Sequence, residues 1–114
     1  MKTDLTYLKG MTDGNKNLID EMIQIFSSQV IEFSEEMQNL VLKKKWKELG
    51  RLAHKAKSST AIMGMSELTE KLKELEMLAP EGKNTELYPS FIQAYMHDCA
   101  IAVEELKQYS ADNK

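Results

Sequence analysis

Apolar residues along this chain recur at intervals of three and four rather than two, the spacing of one face of a helix and not of a half-buried strand. Over Asn17 to Lys43 one stripe runs through Leu18, Met22, Phe26, Val30, Phe33, Met37 and Leu40, widened by Ile19, Ile23 and Val41. Lys43, Lys44 and Lys45 interrupt it. A second stripe, Trp46, Leu49, Ala53, Ala56, Thr60 and Met63, alternates three and four strictly and ends at Gly64. Ser66 is placed to cap a third helix carrying Leu68, Leu72, Leu75 and Ala79, closed by Pro80 and Gly82. A fourth starts between Asn84 and Tyr88, tolerates Pro89 only in its first turn, and carries Tyr88, Ile92, Tyr95, Cys99, Ala102, Leu106 and Tyr109. Ahead of these, Asp4 to Lys9 reads as a short helix capped by Asp4 and stopped at Gly10, and Met11 to Lys16 as a loop. Four amphipathic helices on short connections bury their stripes most simply as an antiparallel bundle. The expected fold is therefore all-α, a four-helix bundle with an extra N-terminal helix, its core over about residues 15–109 and a frayed tail from Ser110 to Lys114.

Composition narrows the picture. With 114 residues, 42% hydrophobic and 29% charged, the chain suits one globular domain. The single cysteine has no internal partner, which fits a reducing compartment. The start MKTDLTYLKG has no long apolar run behind a basic end, and no segment approaches a membrane span. These features predict a cytoplasmic monomer with no membrane contact. The formal charge of -3 disfavours general nucleic-acid binding. The run Lys43-Lys44-Lys45-Trp46-Lys47 reads as a solvated turn, because Trp46 belongs to the core stripe.

One histidine stands out. On an ideal wheel His54 points roughly 130° away from the second helix's stripe, toward solvent. Its neighbours on that face, Gly50, Ser58 and Ala61, are all small, although a glycine inside a helix costs ~1 kcal/mol relative to alanine. Lys47, Arg51, Lys55 and Lys57 surround the clearing. An exposed imidazole near its ordinary pKa of ~6.5 is mostly neutral at pH 7 and keeps a free lone pair, and a cation one turn away offsets a phosphoryl group attached to it. The pattern suits phosphoryl transfer.

The segment Ala53-His54-Lys55-Ala56-Lys57-Ser58-Ser59-Thr60-Ala61-Ile62-Met63-Gly64 resembles the signature of histidine-containing phosphotransfer (HPt) domains: a His, a Lys three residues on, small residues, and a Gly ten residues past the His. The likeness extends over roughly Asp4 to Leu106. It implies a four-helix bundle that carries a phosphoryl group between response-regulator receiver domains in a relay fed by a hybrid sensor histidine kinase. It further implies His54 as the phosphorylated residue, Lys57 as its charge support and Gly64 as structural. The chain would be a carrier without kinase activity of its own, with no cofactor, and the Mg²⁺ would sit on the receiver. Docking would use Lys47, Gly50, Arg51, Lys55, Ser58, Ala61, Ile62 and Met65. Two departures are Ala56, where the family often has Leu, and Ser58, where Gly is common and whose hydroxyl could donate to a phosphate. Glu76 falls where some members place a polar side chain near the imidazole.

The competing readings are a helical adaptor that binds a receiver or kinase without phosphorylation, and a metal site at His97 and Cys99. The i, i+2 spacing of the latter pair puts them on different helix faces and leaves Cys99 in the core. The eight methionines read as core filler.

Overall fold

The computed structural model describes residues 1–113; Lys114 lies outside the described residues. Five α-helices account for most of the chain, in the order α1 Thr6–Met11, α2 Lys16–Leu42, α3 Trp46–Ile62, α4 Ser66–Leu78 and α5 Tyr88–Asp112. Single 3₁₀ turns, Ala79–Glu81 and Thr85–Leu87, lie between α4 and α5. Helices α2 to α5 pack in a ring, each against the next and α5 back against α2. With short turns between them, this is an antiparallel four-helix bundle. The 27 residues of α2 rise ~40 Å at 1.5 Å per residue, which sets the long axis of a 45 × 21 × 20 Å molecule.

The stripes of α4 and α5 are buried as expected, Leu68, Leu72, Leu75 and Ala79 on one side and Tyr88, Ile92, Tyr95, Cys99, Ala102 and Leu106 on the other, except that Tyr109 at the end of the α5 stripe is only half-buried. On α2 the buried line is Ile19, Ile23, Phe26, Phe33, Met37 and Leu40. Met22 and Val30 are only half-buried and Leu18 is exposed, so the inward face is turned toward Ile19 and Ile23 at the N-terminal end. On α3, Leu52 joins the core and Trp46 lies at its margin, edge-on to Tyr88 with ring centroids 5.1 Å apart. The Tyr88 hydroxyl donates to the carbonyls of Leu78 (3.0 Å) and Lys83 (2.6 Å), tying down the α4–α5 connection.

The element ends differ from the sequence reading in identifiable ways. Helix α1 starts later than expected and runs through Gly10; its N-cap is Leu5 with no side-chain cap, and Asp4, not the cap, accepts from the Thr6 amide (3.0 Å) and hydroxyl (2.7 Å) just ahead of it. Asn15 caps α2 through the Leu18 amide at 3.0 Å. Ser66 is not a cap: it is the first residue of α4, Met65 precedes it, and no side chain caps that end. The tail is helical to Asp112, and the Ser110 hydroxyl donates to Asp20 Oδ1 at 2.8 Å. Gly64 ends α3 with φ +69°, and a Cβ there would collide with the Asp4 carbonyl oxygen. The backbone bond from Asp4 N–H to Met63 C=O, 3.1 Å, explains that close approach.

Candidate functional site

His54 follows directly on Ala53, a fully buried residue of α3, so the helix turn carries its ring out of the core. Its side chain is 60% exposed. The fully buried Ala53 and Ala56 on the inner face have no bulk to hold α3 off its neighbours, and α4 packs closely enough to bring Glu76 beside the imidazole. His54 Nδ1 lies 2.9 Å from Glu76 Oε2, and Lys57 Nζ lies 2.7 Å from Glu76 Oε1. One carboxylate thus bridges both candidate residues of α3. The bond from Lys57 does most to hold the Glu76 carboxyl below the usual range; burial pushes the other way, and the bond to His54 adds to the lowering. An ionised carboxylate can only accept. Nδ1 therefore carries the proton in the neutral ring, and the lone pair is on Nε2.

The remaining expected site residues divide by exposure. Lys47, Arg51, Lys55, Ser58 and Ala61 are exposed on the same helix, and Ile62 is half-buried. Ile62 lines a small groove between α2 and α3 together with Met22, Ile25, Gln29 and Ser59. The Ser58 hydroxyl donates to the His54 carbonyl at 3.2 Å, so its proton is already engaged along the helix. Lys57 is likewise ion-paired and not free beside the ring.

Two expected docking residues are corrected. Gly50 is buried: a Cβ there would stand 2.7 Å from Pro80 Cγ and 2.9 Å from Pro80 Cδ, so this glycine admits the 3₁₀ turn after α4 and does not clear a path to His54. Met65, 3% exposed, fills the core under the α3–α4 turn and presents no docking surface. Both follow from packing partners distant in sequence. The groove residues Met22 and Ile25 were not on the expected list. Met22 belongs to the predicted α2 stripe; the signal for the groove is Ile25, an apolar residue outside that stripe and 52% exposed.

His97 and Cys99 do not come together. The His97 ring is exposed beside Asp98 at 3.2 Å, whereas Cys99 is fully buried and burial pushes its thiol up to about 12. Among the described residues no group of three or more His, Cys, Asp or Glu is arranged to hold a metal ion, and no helix is long and apolar enough to cross a membrane.

No curated protein and no solved structure matches the chain significantly. The family model of the Hpt domain matches residues 21–109, which takes in nearly all of α2 through most of α5 and the whole His54–Glu76–Lys57 cluster. The chain therefore belongs to the Hpt family, the helical domains that carry phosphoryl groups on histidine in phosphorelays and have receiver domains as partners.

Proposed function

We propose that the protein is a relay carrier that accepts a phosphoryl group on His54 Nε2 from a receiver's phospho-aspartate and passes it to a second receiver. The observation that supports this most directly is the asymmetric imidazole: Nδ1 is held by Glu76 at 2.9 Å, while the exposed side of the ring has no protein partner among the described residues. In the forward step the Nε2 lone pair attacks phosphorus, an N–P bond forms, and the P–O bond to the aspartate breaks with its electron pair leaving on the carboxylate. In the return step a second receiver's carboxylate attacks, and the pair returns to Nε2. Neither step requires the protein to remove a proton. The Nδ1 proton stays on its Glu76 bond throughout, which keeps the ring a competent leaving group.

In this reading Lys57 supplies charge next to the transferred group while shared with Glu76, and the receiver holds the Mg²⁺. The protein contributes position and a nucleophile, without kinase activity. A hybrid sensor kinase upstream would be the first phosphoryl source. The test is phosphoryl transfer from phosphorylated, Mg²⁺-bound receiver domains of the same organism to the wild type and His54→Gln. Acid-labile label on the wild type and none on His54→Gln is the expected result. Stable receiver binding without any labelling of the wild type would leave a phosphorylation-independent adaptor instead.

A further inference from the structure

Between Lys43 and Lys57 the chain has seven cations and one anion, Glu48; the rest of it has eight cations against seventeen anions. This local excess sits in an otherwise acidic molecule and is not consumed internally. Lys57 pairs with Glu76, but Lys43, Lys44, Lys45, Lys47, Arg51 and Lys55 are exposed and make no ion pair with any described residue. Elsewhere Lys2, Lys16 and Lys107 each have a carboxylate within 4 Å, and Lys9, Lys71, Lys73 and Lys83, which make no ion pair with any described residue, are spread over α1, α4 and the α4–α5 connection. Six unpaired cations on one turn and one helix repel each other and cost stability, an arrangement that a partner of opposite charge relieves.

Their placement is directional. Lys47, Arg51 and Lys55 follow one another at four-residue spacing, one ridge on α3, and Lys44 and Lys45 stand at its foot. That foot opens into a shallow depression of about 400 Å³ where Lys44, Lys45, Lys47 and Arg51 outnumber the carboxylates Glu48 and Glu81. Pro80, in its wall, packs on Gly50, one turn before His54, so the depression adjoins the helix face that carries the imidazole. On the other side of His54, toward the end of α3, the exposed and half-exposed residues are Ser58, Ala61 and Ile62, with Ile25 across the groove. Unpaired positive charge on α3 therefore lies along the Lys47–Arg51–Lys55 ridge, because Lys57, the one cation further toward the end of the helix, is neutralised by Glu76.

We infer that the receiver domain meeting His54 is oriented by this asymmetry, with an acidic flank of the receiver lying over the α2–α3 turn and the first two turns of α3. The inference rests on the proposed carrier function and adds to it the partner's charge and its orientation. Charge complementarity selects the occupant: an acidic protein face, recognised well beyond the transferred phosphoryl group. Contacts of this kind act mainly on association rate and partner choice.

The test compares wild type with Lys45→Glu/Lys47→Glu, and with Lys71→Glu/Lys107→Glu on α4 and α5, which changes net charge equally. Glutamate is favoured at a helix N-terminus, so the first variant retains its fold, checked by circular dichroism. The probes are beryllofluoride-loaded, Mg²⁺-bound receiver domains, with binding read at about 50 and about 500 mM NaCl. The expected result is binding about tenfold weaker for Lys45→Glu/Lys47→Glu, with a shallower salt dependence and the loss appearing in KM for transfer, and a change below about twofold for the control. Equal losses in both variants, or none in the first, would overturn the inference. So would binding of duplex DNA by this face in place of a receiver. Because binding to His54→Gln is measured in the same way, a failure of the orientation is distinguished from a failure of the chemistry.

Discussion

At the scale of single residues, the site is organised by Glu76 as much as by His54. An isolated neutral imidazole exchanges its proton between two nitrogens, and the carboxylate fixes it on the one that faces α4. The same carboxylate holds Lys57 through its other oxygen, so the two roles separate by substitution. Glu76→Gln keeps an acceptor for Nδ1–H but loses the ion pair; Glu76→Ala loses both. Nitrogen chemical shifts of the His54 ring are expected to report one dominant tautomer in wild type and Glu76→Gln, and a mixture in Glu76→Ala. Transfer is expected to slow about tenfold in Glu76→Ala. A single unchanged tautomer in Glu76→Ala would show that the ring is set by something other than this bond.

At the scale of elements, what was legible in the sequence is what local spacing determines. The stripes of α4 and α5 are unambiguous, because large apolar residues occupy nearly every third or fourth position and nothing competes with them. On α2, Leu18, Ile19, Met22 and Ile23 offer two adjacent registers, and packing against α5 selects the one with Ile19 and Ile23 inward. The exposure of His54 and its spacing to Lys57 were likewise legible, since both lie on one helix. Gly50 and Met65 were misread because their partners come from other elements: Pro80, thirty residues on, and the core beneath a turn. The N-terminal segment was legible least. It runs as a strap from α5 to the α3–α4 turn: Glu105 accepts from the amides of Lys2 (2.8 Å) and Thr3 (3.0 Å) and the Thr3 hydroxyl (2.8 Å), and Asp4 N–H then reaches Met63. Burial acts to raise the Glu105 carboxyl, and these bonds outweigh it, leaving it below its ordinary value of 4.5. With a folded-state value depressed in this way, the contribution to stability is complete above about pH 4.5 and disappears as pH falls through the lower folded-state value. Glu105→Ala is therefore expected to cost about 2 kcal/mol at pH 7 in urea unfolding, and the gap from wild type to narrow below about pH 4.5. A gap that stays constant through the acid range would mean that the carboxylate charge does not hold the strap.

At the scale of the whole molecule, the residues that carry chemistry are held by a core that every helix shares. Leu8 from α1, Ile23 from α2, Leu49 from α3, Leu72 from α4 and Tyr95 from α5 belong to one buried cluster, each 5% exposed or less. No helix has a separate core on which to stand alone, so the His54–Glu76 contact between α3 and α4 should be lost only when the bundle unfolds. Trp46, the one tryptophan, makes this measurable. It starts α3 and packs edge-on against Tyr88 at the start of α5, so its fluorescence reports a junction of two helices distant in sequence, whereas circular dichroism at 222 nm averages over them all. In urea the two signals are expected to superimpose in a single transition. Leu72→Ala, which empties a 1% exposed position on α4, is expected to shift both midpoints equally and to cost about 3 kcal/mol. A fluorescence change preceding the loss of helix would place the Trp46–Tyr88 junction in a separately opening unit. The basic α2–α3 turn, which leads directly into Trp46, would then be mobile against the rest of α3, and the cations on it would no longer hold a fixed position relative to His54.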